Sequence, residues 1–299
     1  MVSIREGSSL YYSLLWTKEP VRQRFVNRLG LIQALGTTLE DVQEPHVAEQ
    51  KIHWWHEEIQ RLLSGDARHP QLKLCQKELT AVPAAQAPCL AVLSAASTQR
   101  FTPPATEAEA DEQNIKSFTA RLALVTHALS DSTEDLDPKS QSESMGLALS
   151  KYEQLLRLPS LIHRGLAVFS EQTYAQSGLK AADLAAHIRV SESSVNTKDS
   201  EDATPSPSLN NIPIVVENTA IQLFLKQAID DAHTQLNQCL RDSAISNRYR
   251  KKPYLPLWRL IVLREKQLAL WHRKQPDLLR EKTTLTPISK LYVAWRHKR

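Results

Sequence analysis

The stretch KIHWWHEEIQ, Lys51 to Gln60, packs two histidines, two tryptophans and two glutamates into ten residues. It resembles the H-E-x-x-H pattern, in which two histidines one helical turn apart hold zinc and a glutamate acts as base. The order here is different. His53 and His56 are three apart and share a helical face, as do His53 and Glu57 at four. Zinc takes at least three protein ligands, and only His46 and His69 lie near. The apolar spacing points instead to a core helix. Ala48, Ile52, Trp55, Ile59, Leu62 and Leu63 recur at steps of three and four, with one adjacent pair. That is one stripe of an amphipathic helix. Lys51, Glu57, Glu58 and Arg61 fall mostly off it. Pro45 suits the first turn, and Gly65 suits the stop.

Composition carries the same reading through the chain. Of 299 residues only 7 are glycine, and runs of alternating Val, Ile and Thr are nearly absent. Leu, Ala, Gln, Glu, Lys and Arg dominate, which favours an all-α fold. The length suffices for a sizeable core. A net charge of +4 makes the chain mildly basic, short of a nucleic-acid-coating tail. The cysteines, Cys75, Cys89 and Cys239, form no C-x-x-C and leave an odd count, which suits a reducing compartment. The opening residues lack a signal-peptide core. No stretch reaches the roughly eighteen uncharged apolar residues of a membrane span. The expected setting is cytoplasmic, with peripheral contact at an inner membrane left open.

Helices are expected near 8–17, 20–35, 45–64, 70–80, 86–97, 106–130, 140–158, 160–175, 179–187, 215–246, 254–279 and 286–298. Residues 190–213 are rich in Ser, Asp, Asn and Pro and read as a disordered connection within one domain, 1–299. Ser130 to Ser144, acidic but without the spacing of a calcium loop, reads as a solvated loop. Near the end, Arg248, Arg250, Lys251 and Lys252 alternate with Tyr249 and Tyr254. Such a cluster suits the rim of an anionic membrane or the edge of a helix; nucleic acid is the less favoured partner. The stripe beyond it, Leu257, Leu260, Ile261, Arg264, Leu268 and Trp271, has core spacing.

Four stretches, in order, resemble the squalene/phytoene synthase family. SSLYYSLLWTKEPVRQRFVNRLGLIQAL (Ser8–Leu35) is similar to its S-S-F-Y opening. EPHVAEQKIHWWHEEIQRLLSGDARHP (Glu44–Pro70) is similar to its K-L-x-W-W-x-E-E-I helix and the G-x-x-x-H-P that follows. GLALSKYEQLLRLPSLIHRGLAVFSEQTYAQSGLKAADL (Gly146–Leu184) resembles its central helix and R-G turn. TTLTPISKLYVAWR (Thr283–Arg296) resembles its closing segment. The resemblance implies a single large helical domain of the isoprenoid synthase type around a central cavity. In active members two aspartate-rich motifs hold Mg²⁺ against prenyl diphosphates, which are joined head to head.

Carried over in register, the first D-D-x-x-D falls on Gly36, Thr37 and Glu40, and the arginine before it on Gln33. The second motif, D-x-x-x-D, falls on Arg157 and Leu161, with Pro159 between them expected to break or kink the helix. Asp41 is adjacent to the register, but one residue on a helix is about 100° of rotation. One carboxylate survives where the metal clamps need several, so no catalytic residue and no metal is expected. Ser9, Tyr11, Gln33 and Arg157 are the ligand-pocket candidates. Arg157 is expected to hold an anion or to pair with Glu153 one turn earlier.

Three functions follow. One is a non-catalytic binding or assembly factor, with an unidentified protein partner or a prenyl or lipid ligand; the family includes a degenerate member that assembles respiratory complex I. The second is an active Mg²⁺-dependent prenyl transferase in isoprenoid biosynthesis, drawing on Glu40, Asp41 and Glu153. The third is a nucleic-acid binder resting on Arg248 to Lys252.

Overall fold

The computed structural model describes residues 4–196 and 213–298, which hold thirteen α-helices and no strand. The connection read as disordered, 190–213, falls largely outside them. Its first residues continue a helix backbone to Asn196, and Pro213 opens the next helix.

Helix α1 (Ser9–Leu14) starts at Ser8, whose hydroxyl accepts the Tyr11 amide at 3.1 Å. Helices α2 (Glu19–Gly36), α3 (Pro45–Ser64) and α4 (Pro70–Leu79) each carry proline in the first turn, where no amide partner is missed. Helix α3 stops at Gly65, whose φ of 84° is the left-handed conformation glycine adopts without strain. Helices α5 (Gln86–Phe101), α6 (Glu107–Ser130) and α7 (Glu143–His163) follow. Thr106 and Glu109 cap α6 reciprocally. Helices α8 (Glu171–Ser177), α9 (Ala181–Asn196), α10 (Pro213–Arg241), α11 (Ser243–Tyr249), α12 (Leu255–Lys274) and α13 (Pro287–Arg296) complete the order.

Helix α6 is the axis of the packing. It touches α2, α5 and α7, and every residue from Ser117 to Leu129 except Arg121 is buried. A helix buried on nearly all sides is a central helix, and an arginine left partly open in its midst is conspicuous. Helix α10 lies against α7 and α12, while α1 and α13 pack on α12. One core runs from Leu14 through Phe25, Trp55, Phe118, Leu149 and Ile229 to Trp271. A second gathers Leu158, Leu161 and Ile162 with Leu184, Ile221 and Phe224.

Two expectations need correction. Pro159 does not end its helix: α7 runs through it to His163. A proline removes one amide, and Leu158, Leu161 and Ile162, all in the second core, hold the following turn in place. The loop Ser130–Ser144 is not simply solvated. Asp135, Leu136 and Gln141 are buried. Asp135 accepts from Arg248 at 3.1 Å, Tyr254 at 2.7 Å and Ser130. Gln141 donates to the Asp135 carbonyl at 3.0 Å and accepts from Tyr249 at 3.2 Å. A buried polar side chain needs such partners, and here they arrive from distant sequence.

Candidate functional site

The stretch Lys51 to Gln60 on α3 supports the site from behind. Trp55 is buried, with Ile59 and Leu62 fully so. Its indole N–H donates to Thr38 Oγ1 at 2.6 Å, which fixes the turn after α2. His53 and His56 are exposed, and His53 lies 3.2 Å from Glu57. Glu58, read as off the stripe, is fully buried. It accepts the amides of Arg68 at 3.0 Å and His69 at 2.9 Å, and Arg61 Nη1 at 2.7 Å. Burial raises its pKa, but the donors outweigh that and the net shift is downward.

In front of that turn lies a cavity of about 330 Å³ between α2, α6, α7 and α12. Phe25, Leu29, Ile32, Leu122, Leu149 and Leu257 make much of its apolar wall. Gln33, Gly36, Thr37 and Arg157 line it, as do Arg121, Glu153 and Arg264. Two of the four pocket candidates, Gln33 and Arg157, therefore face it. Ser9 lines a neighbouring groove of about 690 Å³ formed by residues 5–9, α7, α12 and residues 278–290. Leu260 and Arg264 line both spaces. Tyr11 lines neither and packs edge-on against Tyr12 at 5.4 Å.

The register positions of both aspartate motifs sit among guanidinium groups. Helix α2 ends at Gly36, so Thr37 to Asp41 form turns rather than helix. Glu40 is buried and takes ion pairs from both Arg157 and Arg164. Arg157 thus bonds Glu40 across the fold, not Glu153 as the helical spacing suggested. Glu153 bonds Arg121 at 3.0 Å instead. Burial raises the Glu153 pKa, but Arg121, Arg264 and Arg157 around it hold it below the usual range. A Cβ built on Gly36 would lie 3.2 Å from Arg121 Nη2, so a guanidinium fills the space facing that position. Leu161 is buried in the second core and its side chain also borders a small crevice behind Arg157. Asp41 is exposed, 3.6 Å from Arg164.

Arg264 differs from its neighbours. Among the described residues no carboxylate pairs with it; its guanidinium lies over the Tyr152 ring at 5.4 Å, and Tyr152 stacks on Trp271 at 5.7 Å. Arg121 Nε is buried without a hydrogen-bond partner. Three arginines, Arg121, Arg157 and Arg264, therefore line the cavity with one carboxylate, Glu153, and Arg264 is the one without an ion pair among the described residues.

A model of the family described as squalene/phytoene synthase matches residues 4–198, well over half of the chain. The chain belongs to this family. Its helices and central cavity fit the all-α isoprenoid synthase fold. No curated protein matches the chain. The family resemblance assigns the Mg²⁺-holding carboxylates of active members to the positions of Gly36, Thr37, Glu40, Arg157 and Leu161. Hard cations need anionic oxygens free to coordinate them. Here Glu40 and Glu153 are engaged by arginines, and the second-motif positions offer a cation and an aliphatic chain. This donor set does not fit Mg²⁺.

Sequence reasoning missed Arg121, Arg164 and Arg264. Arg264 did leave a signal, since a charged residue stood on an otherwise apolar stripe. Of the basic cluster near the end, Arg248 is spent on Asp135 and Arg250 stacks on Trp258 at 4.9 Å, while Lys251 and Lys252 are exposed.

Proposed function

We propose that this member of the squalene/phytoene synthase family is a binding or assembly factor rather than a prenyl transferase. Its cavity takes an amphiphile with an anionic head, a prenyl diphosphate or a lipid acid. The apolar wall accepts the chain, and Arg264 accepts the head. The observation that carries the reading is the ion pair of Arg157 with Glu40, which joins the two positions that the resemblance assigns to the metal motifs. Ionising an allylic diphosphate requires stabilising a multiply charged leaving group as it departs. Arginines already neutralised by Glu40 and Glu153 add little there. A free guanidinium still binds a phosphate or carboxylate in the ground state. The role of the occupied protein would be to present this ligand or surface to a protein partner, as the complex I assembly factor in the family suggests.

The test is diphosphate release from farnesyl and geranylgeranyl diphosphate with Mg²⁺ present. No release above the protein-free control is expected. Enzyme-like turnover, lost with Glu40→Gln or Glu153→Gln, would establish the transferase reading instead.

A further inference from the structure

Helix α13 turns its large apolar side chains outward. Within PISKLYVAWR, Ala294 and Lys290 are buried and Val293 packs on the core. Ile288, Leu291, Tyr292 and Trp295 are 80%, 45%, 57% and 61% exposed. Their spacing puts all four within an arc of roughly 100°. Single exposed apolar residues are ordinary, but a contiguous stripe on one helix marks a contact surface.

Three observations identify the contact. First, the stripe has the composition of an interfacial helix: it mixes aliphatics with a tyrosine and a tryptophan, and α13 contains no acid. Second, its end is basic. Arg296 and Lys298 are exposed there. The Trp258 indole contacts His297 at 3.4 Å, and Arg250 lies over that same indole, which brings the Arg250–Lys252 cluster to the same end. Third, Pro287 and Lys290 at the other end of α13 line the 690 Å³ groove, as does the half-exposed Leu156. None of the described helices is long and apolar enough to cross a membrane.

We propose that α13 lies in the surface of an anionic bilayer and seats the mouth of the groove against it. Ile288, Leu291, Tyr292 and Trp295 enter the headgroup region, while Lys251, Lys252, Arg296 and Lys298 meet acidic lipids. A membrane acid would then face the groove that leads to Arg264. Only this last step rests on the ligand reading above; the docking does not.

The experiment is cosedimentation with phosphatidylcholine vesicles, with and without phosphatidylglycerol. Wild type should bind the anionic vesicles, less well as salt rises. Ile288→Ser/Tyr292→Ser/Trp295→Ser should weaken binding about tenfold or more at unchanged melting temperature, and Lys251→Glu/Lys252→Glu should weaken it at low salt only. Should the triple variant unfold, brominated phospholipid should quench wild-type tryptophan fluorescence and quench Trp295→Phe much less. Titration of a soluble prenyl diphosphate analogue without vesicles should be unaffected by these changes, which separates the two readings. Undiminished vesicle binding by a folded triple variant would overturn the proposal. So would a wild type that ignores vesicles, including one that instead dimerises through this stripe.

Discussion

Arg157 on α7, in the wall of the central cavity, and Glu40 in the turn after α2, 117 positions apart, form an ion pair. Arg164 completes a three-membered cluster on the same carboxylate. Glu40 is 5% exposed and Arg157 29%. Removing one partner of such a pair leaves a buried charge undercompensated. Arg157→Ala should destabilise the protein by about 1–2 kcal/mol, the full buried-pair cost being reduced by solvent access and by Arg164. In a double-mutant cycle with Glu40→Gln, measured by urea unfolding, the two changes should be clearly non-additive. Additive effects would mean that the pair contributes nothing.

Gly36→Asp tests how the vacated first motif is filled. The Cβ of the new residue would lie 3.2 Å from Arg121 Nη2, so the flexible guanidinium must shift slightly and should then pair with the new carboxylate. The variant should fold with a melting temperature equal to or above wild type. Its calorimetric titration with Mg²⁺ should show no saturable site, and adding Arg157→Asp should not bring turnover, because the members of a metal clamp act as a unit. Saturable Mg²⁺ binding by Gly36→Asp alone would show that Arg121 yields the position.

Trp55→Ala should cost roughly 3–5 kcal/mol, as for large buried aromatics. Part of that loss comes through Thr38, which would lose the indole donor. His53→Ala, at an exposed position beside Glu57, should change stability by less than about 0.5 kcal/mol. Chemical denaturation of both variants checks the contrast.

The helical plan was legible because the stripe around Trp55 and those of α12 have a helical period, and because Pro45 and Gly65 mark their ends. The site was legible only where it is local. Gln33 and Arg157 could be placed from the chain alone, yet the partner of Arg157 could not. Helical spacing offered Glu153, while tertiary packing supplied Glu40. The same limit hid Glu58 and Asp135. Both look like solvated acids in sequence, and both are buried because amides, arginines or a tyrosine from elsewhere converge on them. Pro159 misled for a related reason: the lost hydrogen bond is a local cost, and the apolar contacts that outweigh it are not local.

His127 on α6 supplies a pH test. It is buried, and its Nδ1 has no hydrogen-bond partner. Burial, reinforced by Arg28 and Arg24 and opposed by Asp131 and Asp135, pushes its pKa down from 6.5 to about 4. The unfolded chain therefore takes up this proton first. Stability from the neutral imidazole is complete above about pH 6.5 and is lost as pH falls toward 4. In that window wild type should lose stability more steeply than His127→Gln, by up to about 1.4 kcal/mol per pH unit. Parallel pH profiles for the two proteins would place the proton elsewhere.

The central claim is that guanidinium groups have replaced the metal in this cavity. The direct measurement is calorimetric titration of a non-hydrolysable farnesyl diphosphate analogue into wild type and Arg264→Ala, each in EDTA and in Mg²⁺. Binding that is as tight in EDTA as in Mg²⁺, and about tenfold weaker in Arg264→Ala, is the expected result. Binding that requires Mg²⁺ and is indifferent to Arg264 would contradict it.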